Sequence, residues 1–316
     1  MQSTSTKLVI LGTGGTIAGT AEDAADNVGY SAAQIGVDAL VAAVPALAGL
    51  PLETEQVAQI DSKDMGHRVW LALAQRVAHH LARAEVAGVV VTHGTDTLEE
   101  SAWFLQRVLA PTKPVVLTAA MRPASSAQAD GPQNLLDAVH VARHAGARGV
   151  LAVLASAVHG AHDVTKAHPY RVDAFSSGDA GPLGWIEEGV LRRLRPWPVG
   201  EPLGLAWLGD DAAAWPVVDI VTSHAGVRPA VVEALCAAGA NGLVIAATGN
   251  GSVHENLDPA LQAALRRGVS VWRATRCPGG PIVGGAAAPN DSMPSTDLSP
   301  VKARIELMLQ LMRTLN

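Results

Sequence analysis

Aromatic residues are scarce in this chain of 316 residues, which has two phenylalanines, two tyrosines and seven tryptophans. Only 16% of the residues are charged, whereas 48% are hydrophobic. That composition is too apolar and too weakly charged for an intrinsically disordered protein. The core must therefore be built mostly from alanine, valine and leucine, and the length suits one large domain or two ordinary ones.

Cysteine is almost absent, because Cys236 and Cys277 are the only two and form no CxxC motif. This excludes a disulfide framework and fits a reducing compartment. No apolar run reaches the length of a membrane-spanning helix, and a polar stretch (residues 2–7) lies where a signal peptide needs its apolar region. We therefore expect a cytoplasmic protein without a membrane partner, or a periplasmic one whose signal peptide has been removed.

Positive charge is also limited, since the formal net charge is −6. This mild acidity argues against a nucleic-acid partner. The densest basic cluster contains Arg192, Arg193 and Arg195, next to Pro196 at the end of a predicted hairpin. We interpret this cluster as a solvated surface.

Short β-branched runs alternate with longer stretches of helical period, a pattern typical of βα units that build a parallel sheet. The predicted strands are Lys7–Leu11, Glu55–Ile60, Val89–Thr92, Pro114–Thr118, Gly149–Ala155, Val217–Thr222, Gly242–Ala247 and Val269–Arg273. The predicted helices are Val37–Val44, Met65–Arg83, Leu98–Leu109, Pro132–His144, Pro229–Ala238, Pro259–Arg267 and Pro300–Thr314, and Gly184–Arg195 is a predicted hairpin.

This rhythm is interrupted over residues 196–216, which are rich in proline, glycine, aspartate and alanine and have no sustained period. Such a segment is typical of a linker between domains. We therefore predict an α/β protein with a parallel-sheet N-terminal domain (residues 1–195), a linker (196–216) and a smaller α/β C-terminal domain (217–316).

The first strand runs into a glycine turn, GTGGTIAGT at residues 12–20. A dinucleotide-binding fingerprint requires a third glycine where Ile17 stands, and a phosphate-binding P-loop requires a lysine where Thr20 stands. Both interpretations fail. The turn presents the hydroxyls of Thr13 and Thr16 at the carboxyl end of a strand, where parallel sheets bind ligands, although a purely structural turn also fits.

A second strand-turn-helix segment reads VVVTHGTDTLEES at residues 89–101. Thr97 and Glu100 fit a capping box at the start of the helix. A capping box does not explain the presence of Thr95 and Asp96, which also lie at the carboxyl end of a predicted strand. Further along, Lys166 ends the run HDVTK, and a desolvated lysine with a lowered pKa beside a threonine hydroxyl is able to accept its proton.

Together these segments resemble the bacterial-type L-asparaginases, a threonine-dependent asparaginase and glutaminase family. The motifs that carry the resemblance are TGGTIAG (residues 13–19), HGTDTLEE (93–100), AMRP (120–123), DGP (130–132) and DVTK (163–166). The likeness extends from the first strand to the closing helix.

The resemblance implies a catalytic set. Thr16 is similar to the family's primary nucleophile, which attacks the side-chain amide carbonyl of the substrate, and Tyr30 to its hydrogen-bond partner. Thr95, Asp96 and Lys166 resemble a second catalytic group, in which Lys166 takes or relays the hydroxyl proton. Which threonine attacks in which half-reaction stays open.

The resemblance also implies the binding of a zwitterionic substrate, L-asparagine. Ser62 and Gly94 with Thr95 are expected to bind the α-carboxylate, and Asp96 the α-ammonium. The carbonyl of Ala120 resembles the acceptor for the leaving amide.

Further implications concern assembly and cofactors. The family's sites lie between subunits, and Asn250 matches an asparagine that a neighbour contributes. The resemblance thus implies a homotetramer built as a dimer of dimers, in which the C-terminal domain completes a neighbour's site. It implies no metal or organic cofactor.

Two positions depart from the high-affinity members of the family. Lys63 stands where those often have glutamine or glutamate, and Ala287 is aligned with a glutamate that helps to bind the ammonium. Each loss is expected to weaken binding by about 1–3 kcal/mol if the group is buried. Either Asp291 compensates, or Lys63 turns away and pairs with Asp64 or Asp61.

We therefore expect an amidohydrolase that converts L-asparagine to L-aspartate and ammonia, with weakened affinity and low glutaminase activity. One alternative is a related hydrolase of another small amide, such as glutamine or a tRNA-linked amide donor. The other is a non-catalytic amino-acid sensor that keeps the pocket.

Overall fold

The computed structural model describes residues 6–284 and 293–315, and the chain forms two compact units that divide between Leu205 and Ala206. The strands of the first unit are β1 (Lys7–Gly14), β2 (Leu52–Ile60), β3 (Val86–Thr92), β4 (Pro114–Thr118), β5 (Gly149–Leu154), β6 (Ala157–Gly160), β7 (Thr165–Lys166), β8 (Phe175–Ser176), β9 (Gly184–Glu187) and β10 (Val190–Arg193). Its helices are α1 (Val37–Ala42), α2 (His67–Leu81), α3 (Leu98–Leu109) and α4 (Gly131–Arg143).

The first unit is built on an 8-stranded sheet in the order β10-β9-β6-β5-β4-β3-β1-β2. Strands β2, β1, β3, β4 and β5 are parallel, and the pairs beyond β5 are antiparallel. The short strands β7 and β8 form a separate antiparallel pair. The predicted parallel-sheet α/β domain is confirmed, with an antiparallel extension at one side.

Burial explains why the central strands read as continuous apolar runs. Leu8 and Ile10 of β1 belong to a core shared with α1 and α4, and Val9 and Leu11, which are also fully buried, point to the opposite face. Helices α2 and α3 pack against the sheet and each other. Strands covered on both faces need apolar residues at every position, and valine, leucine and alanine supply most of this core, as the composition predicts.

The second unit contains a smaller parallel sheet in the order β11-β12-β13, formed by β11 (Val218–Thr222), β12 (Gly242–Ala247) and β13 (Ser270–Thr275). Its helices are α5 (Ala230–Ala237), α6 (Asp258–Arg266) and α7 (Pro300–Leu315). This confirms the predicted smaller α/β C-terminal part. Among the helices in the described portions of the chain, none has the length and apolar character needed to cross a membrane.

Strand β6 is an element that the sequence patterns missed. It returns antiparallel to β5 through a tight turn at Ala155 and Ser156, both with positive φ (47° and 59°). Tight hairpins of this kind are recognised by asparagine and glycine at those two positions. This turn contains neither asparagine nor glycine, so nothing in the sequence indicated that a second strand follows β5.

Candidate active site

Four neighbouring strands of the first sheet end at one edge and bring the predicted residues there. Ser62 follows β2, Thr16 follows β1, Thr95 and Asp96 follow β3, and Ala120 follows β4. Because the four strands are parallel and adjacent, their carboxyl ends lie side by side. This edge is where open parallel sheets bind ligands.

Thr16 begins a single helical turn (Thr16–Ala18) directly after the glycine turn, and its side chain is buried. Its Oγ1 lies 2.6 Å from the hydroxyl oxygen of Tyr30, and either hydroxyl is able to donate this hydrogen bond. Tyr30 is held in a loop whose strands pair at Thr20 and Ser31 through two backbone hydrogen bonds of 2.9 Å. The structure therefore brings the predicted nucleophile and its predicted phenol partner together.

The two glycine turns touch at Gly15 and Gly94. Gly15 has a φ of 85°, and a Cβ atom there would overlap the backbone of Gly94. The Gly15 N–H donates to the carbonyl of Ile60 at the end of β2, 2.9 Å away. Glycine is required at this contact because any side chain would separate the turns that carry Thr16 and Thr95.

Lys166 reaches this edge from the short pair β7–β8. Its Nζ donates to the Thr95 Oγ1 at 2.8 Å and to the Asp96 Oδ1 at 2.6 Å. The lysine side chain is 17% exposed and the aspartate side chain 50%, so the ion pair opens to solvent on the aspartate side. The predicted threonine, lysine and aspartate form one connected cluster.

Ser62 connects the end of β2 to this cluster. Its Oγ accepts a hydrogen bond of 3.1 Å from the Asp96 N–H, so its own proton is free to point elsewhere. The Thr97 hydroxyl donates to the Ser62 carbonyl at 2.8 Å and makes no capping bond to the helix. The predicted capping role of Thr97 is wrong, because the side chain ties two loops together instead.

A buried chain of hydrogen bonds supports the turn that contains Gly94. Trp70 Nε1 donates to the Ser101 Oγ (2.8 Å), which lies 2.9 Å from His93 Nε2, and His93 Nδ1 lies 2.7 Å from the Gly94 carbonyl oxygen. Since a carbonyl only accepts, the His93 proton belongs on Nδ1, and Ser101 donates to Nε2. Burial lowers the pKa of His93 to about 4, which keeps the ring neutral.

The basic cluster near the hairpin is not wholly a solvated surface. Arg192 pairs with the exposed Glu187, but Arg195 donates to Asp163 Oδ2 at 2.8 Å and to a backbone carbonyl of the loop. Burial raises the pKa of Asp163, and hydrogen bonds from His162 and Arg195 more than offset this, so the pKa lies below its ordinary value. The solvated interpretation is thus wrong for Arg195, which anchors the segment that leads to Lys166.

The polar residues that sequence patterns missed lie on α3. Glu99 accepts hydrogen bonds of 3.2 Å from the Thr165 hydroxyl and from the Lys166 backbone N–H, and Ser101 belongs to the His93 chain. Most of Leu98–Leu109 is buried, including the polar residues Glu99, Ser101 and Gln106. Buried polar side chains need specific partners. The polar residues of this helix read as an ordinary solvent-facing side in the sequence, so their burial required the structure.

Lys63 does not point its charge into the substrate site. Its Nζ pairs with Asp61 at 2.8 Å and Asp64 at 3.1 Å, and these contacts raise its pKa. The turned-away lysine, one of the two compensations expected from the sequence, is confirmed. Ala287 and Asp291 lie outside the described residues.

Ala120 and Asn250 occupy different units. Ala120 is buried, and the two residues after it are fixed because the Asp130 carboxylate accepts from the N–H groups of Met121 (3.0 Å) and Arg122 (2.9 Å). Asn250 lies in the second unit, where its amide pairs with the backbone of Val283 through bonds of 2.9 and 2.7 Å.

Comparison with known proteins decides the family. The model of the asparaginase N-terminal domain matches residues 7–197, and that of the glutaminase/asparaginase C-terminal domain matches residues 217–316. The chain belongs to the asparaginase family. The asparaginase resemblance noted in the sequence is thereby confirmed.

Among curated relatives of this asparaginase-family chain, a glutaminase-asparaginase of Pseudomonas fluorescens is 38% identical and covers 98% of this chain and 88% of its own. L-asparaginase 2 of Escherichia coli is also 38% identical, with coverage of 97% and 89%. The solved structure of a probable cytoplasmic L-asparaginase from Campylobacter jejuni superposes with a TM-score of 0.91 at 37% identity, covering 98% of this chain and 96% of that one.

Proposed function

We propose that this chain is an amidohydrolase that converts L-asparagine and water to L-aspartate and ammonia through a threonine acyl-enzyme. The observation that carries the proposal is the cluster in which Lys166 Nζ contacts both Thr95 and Asp96 at a strand end. The turn that carries this cluster touches the turn before Thr16. A threonine hydroxyl is too weak an acid to ionise unaided, so a nearby base is what this chemistry needs.

Thr16 is the primary nucleophile in this proposal. Its hydroxyl oxygen attacks the side-chain amide carbonyl carbon while its proton passes to the Tyr30 hydroxyl oxygen, which lies within hydrogen-bond distance. Tyr30 gives up its own phenol proton to the leaving nitrogen in the same relay. Collapse of the tetrahedral intermediate breaks the C–N bond, and the protonated nitrogen departs as ammonia. Backbone N–H groups of the two glycine turns stabilise the oxyanion.

Hydrolysis of the acyl-enzyme completes the cycle. Thr95 and Lys166 relay the proton that the attacking water loses, and the threonine oxygen leaves with a proton restored to it. Asp96 orients Lys166 through the ion pair. The acyl group departs as the side-chain carboxylate of L-aspartate.

Substrate recognition follows from the charges of the amino acid. The Ser62 proton is free to donate to the α-carboxylate because its oxygen accepts from Asp96 N–H. Gly94 and Thr95 add backbone N–H groups, and the half-exposed Asp96 carboxylate binds the α-ammonium. Ala120 supplies a carbonyl to the leaving amide. Lys63 is engaged by two aspartates and so does not replace an ammonium ligand. We propose a preference for asparagine with weakened affinity and low glutaminase activity.

The proposal extends to the whole assembly. It comprises a homotetramer, a dimer of dimers, in which the C-terminal domain (217–316) contributes Asn250 to a neighbour's site and residues 196–216 link it to the catalytic domain (1–195). We also propose a cytoplasmic location, as in the name of the Campylobacter jejuni relative. A Haemophilus influenzae relative is named as a probable periplasmic L-asparaginase, so cell fractionation is the deciding measurement.

Ammonia release from a panel of amides tests the reaction. Asparagine is expected to be the best substrate, and Thr16→Ala and Thr95→Ala should each abolish release while the proteins stay folded by circular dichroism. Equal efficiency on glutamine would contradict the proposed preference. Binding of amino acids without release from any amide would identify a sensor instead.

A further inference from the structure

Glu99 places a buried carboxylate against the backbone of the segment that carries Lys166. Its Oε1 accepts from the Thr165 hydroxyl and from the Lys166 N–H, both at 3.2 Å. Its Oε2 is buried and, within the described parts of the chain, has no hydrogen-bond partner. Among the residues that the structure describes, Glu99 is one of few acidic side chains that are buried.

Simple packing does not account for a carboxylate at this position. Burying a charge or a carboxyl group is costly, and an apolar residue of similar volume fills such a space at lower cost. The start of a helix offsets part of this cost through its dipole. What the carboxylate adds over an apolar side chain is the pair of hydrogen bonds to Thr165 and Lys166.

Strand β7, which carries Lys166, is only two residues long and pairs with an equally short partner. Such a pair is marginal by itself and does not fix a long side chain to within a few tenths of an ångström. Yet Lys166 Nζ has to meet Thr95 Oγ1 at 2.8 Å and Asp96 Oδ1 at 2.6 Å. Additional restraint on the lysine backbone is therefore needed.

Glu99 supplies that restraint from the same helix start that holds the other partners. Thr95 and Asp96 lie in the turn just before α3, and Glu99 lies in its first turn. Lys166 is thus held at both ends by residues 95–99, through its Nζ and through its backbone N–H. We propose that Glu99 is a positioning residue that sets the distance between Lys166 Nζ and the Thr95 hydroxyl. This role rests on the proposed amidohydrolase function.

Three variants test the assignment. Glu99→Ala removes both acceptors, Glu99→Gln keeps an oxygen acceptor in the same place, and Glu100→Gln is the matched control on the next residue of the same turn. We expect Glu99→Ala to lower kcat about tenfold or more with KM changed less than about threefold, because proton transfer depends steeply on geometry whereas the substrate contacts persist. Glu99→Gln and Glu100→Gln should stay within about threefold of the parent.

Hydrogen exchange tests whether Glu99 holds the Lys166 backbone, independently of enzyme turnover. Hydrogen exchange at the Lys166 amide should be slow in the parent, in Glu99→Gln and in Glu100→Gln, and fast in Glu99→Ala. If Glu99→Ala does not fold, Thr165→Val still removes one of the two contacts and should accelerate the same exchange.

Two results would overturn the assignment: an unchanged kcat in Glu99→Ala, or a Glu99→Gln variant as impaired as Glu99→Ala with slow Lys166 exchange. If the parent releases ammonia from no amide, the proposed function fails, and the exchange measurement still decides whether Glu99 holds Lys166.

Discussion

The two tyrosines of this chain have different surroundings. Tyr30 shares a 2.6 Å hydrogen bond with Thr16. Tyr170 is half-exposed, and its ring lies 4.1 Å below the Arg122 guanidinium, an interaction of the ring face rather than of the hydroxyl. The Tyr30 phenol therefore contacts the proposed nucleophile, whereas the Tyr170 ring packs against Arg122.

Replacing each tyrosine by phenylalanine separates these roles with the same chemical change. Tyr30→Phe should lower kcat about 100-fold or more, because the hydroxyl that relays the Thr16 proton in the proposed mechanism is lost, while the free energy of unfolding changes by less than about 1 kcal/mol. Tyr170→Phe should leave both unchanged, since its ring face is retained. Steady-state kinetics and urea unfolding measure the two quantities. Full activity in Tyr30→Phe would contradict the assignment of Tyr30.

His93 makes stability depend on pH. Its folded pKa of about 4 lies below the ordinary value of 6.5, so between these values the unfolded state binds an extra proton. The contribution is fully present above about pH 6.5 and is lost as pH falls towards 4, by at most about 3 kcal/mol.

Urea unfolding from pH 4.5 to pH 7 measures this slope. His93→Gln should be less stable at pH 7 but less sensitive to acid than the parent, whereas His79→Gln, at an exposed position of α2, should keep the parent's slope. Equal slopes in the parent and His93→Gln would show that His93 is not the source.

At the scale of elements, the contact between the two glycine turns couples strands β1 and β3. Gly15 (φ 85°) and Gly49 (φ 77°) both have a positive φ, but of the two only Gly15 meets other backbone atoms where a Cβ would be added. Gly49 therefore serves as a control for a side chain added at a positive φ without a collision.

Gly49→Ala should cost about 1–2 kcal/mol of stability, the strain of a left-handed alanine, and leave kcat unchanged. Gly15→Ala adds a collision with Gly94, so we expect loss of activity and a larger loss of stability. Thermal unfolding and ammonia release provide the comparison. Normal turnover by Gly15→Ala would mean that the turns can separate without harm.

Strands and helices could be predicted from the sequence where burial directly determines the pattern of apolar residues. The runs around Val89 and Pro114 became buried strands because only apolar residues fit between two helical layers. In α2 the buried face includes Trp70, Leu73 and Val77, spaced three and four residues apart as in an amphipathic helix.

Long-range contacts explain what the sequence concealed. The hydrogen bond between Thr97 and Ser62 joins residues 35 positions apart in the sequence, and the bond between Arg195 and Asp163 joins residues 32 positions apart. Local rules favoured a helix cap for the first and a solvated charge for the second, because no local rule encodes which loops the fold places side by side. The motif residues themselves were located through the family resemblance, and the geometry of their clusters required the structure.

For the whole molecule, the proposed sharing of sites between subunits predicts complementation. Thr95→Ala and Asn250→Ala each should lower activity strongly when assembled alone. In a hybrid dimer, one of the two sites combines an intact Thr95 with an intact Asn250 from the other subunit. Random mixing should therefore restore about a quarter of the parent's sites.

Mixing must follow reversible dissociation, and ammonia release is measured after reassembly. A mixture of each variant with itself is the control. Activity that stays at the level of the separate variants would indicate that each chain completes its own site.

The order of the strands bears on how the protein is made. β1 leaves the ribosome before the other strands of its sheet, yet one of its two sheet partners, β3, follows more than seventy residues later, and Lys166 with its partner Phe175 later still. The entropy cost of closing these long loops arises before the stabilising contacts between their ends are formed, and this slows folding. A nascent chain thus has no site that asparagine can bind, so substrate stabilises only the folded protein and cannot speed its folding.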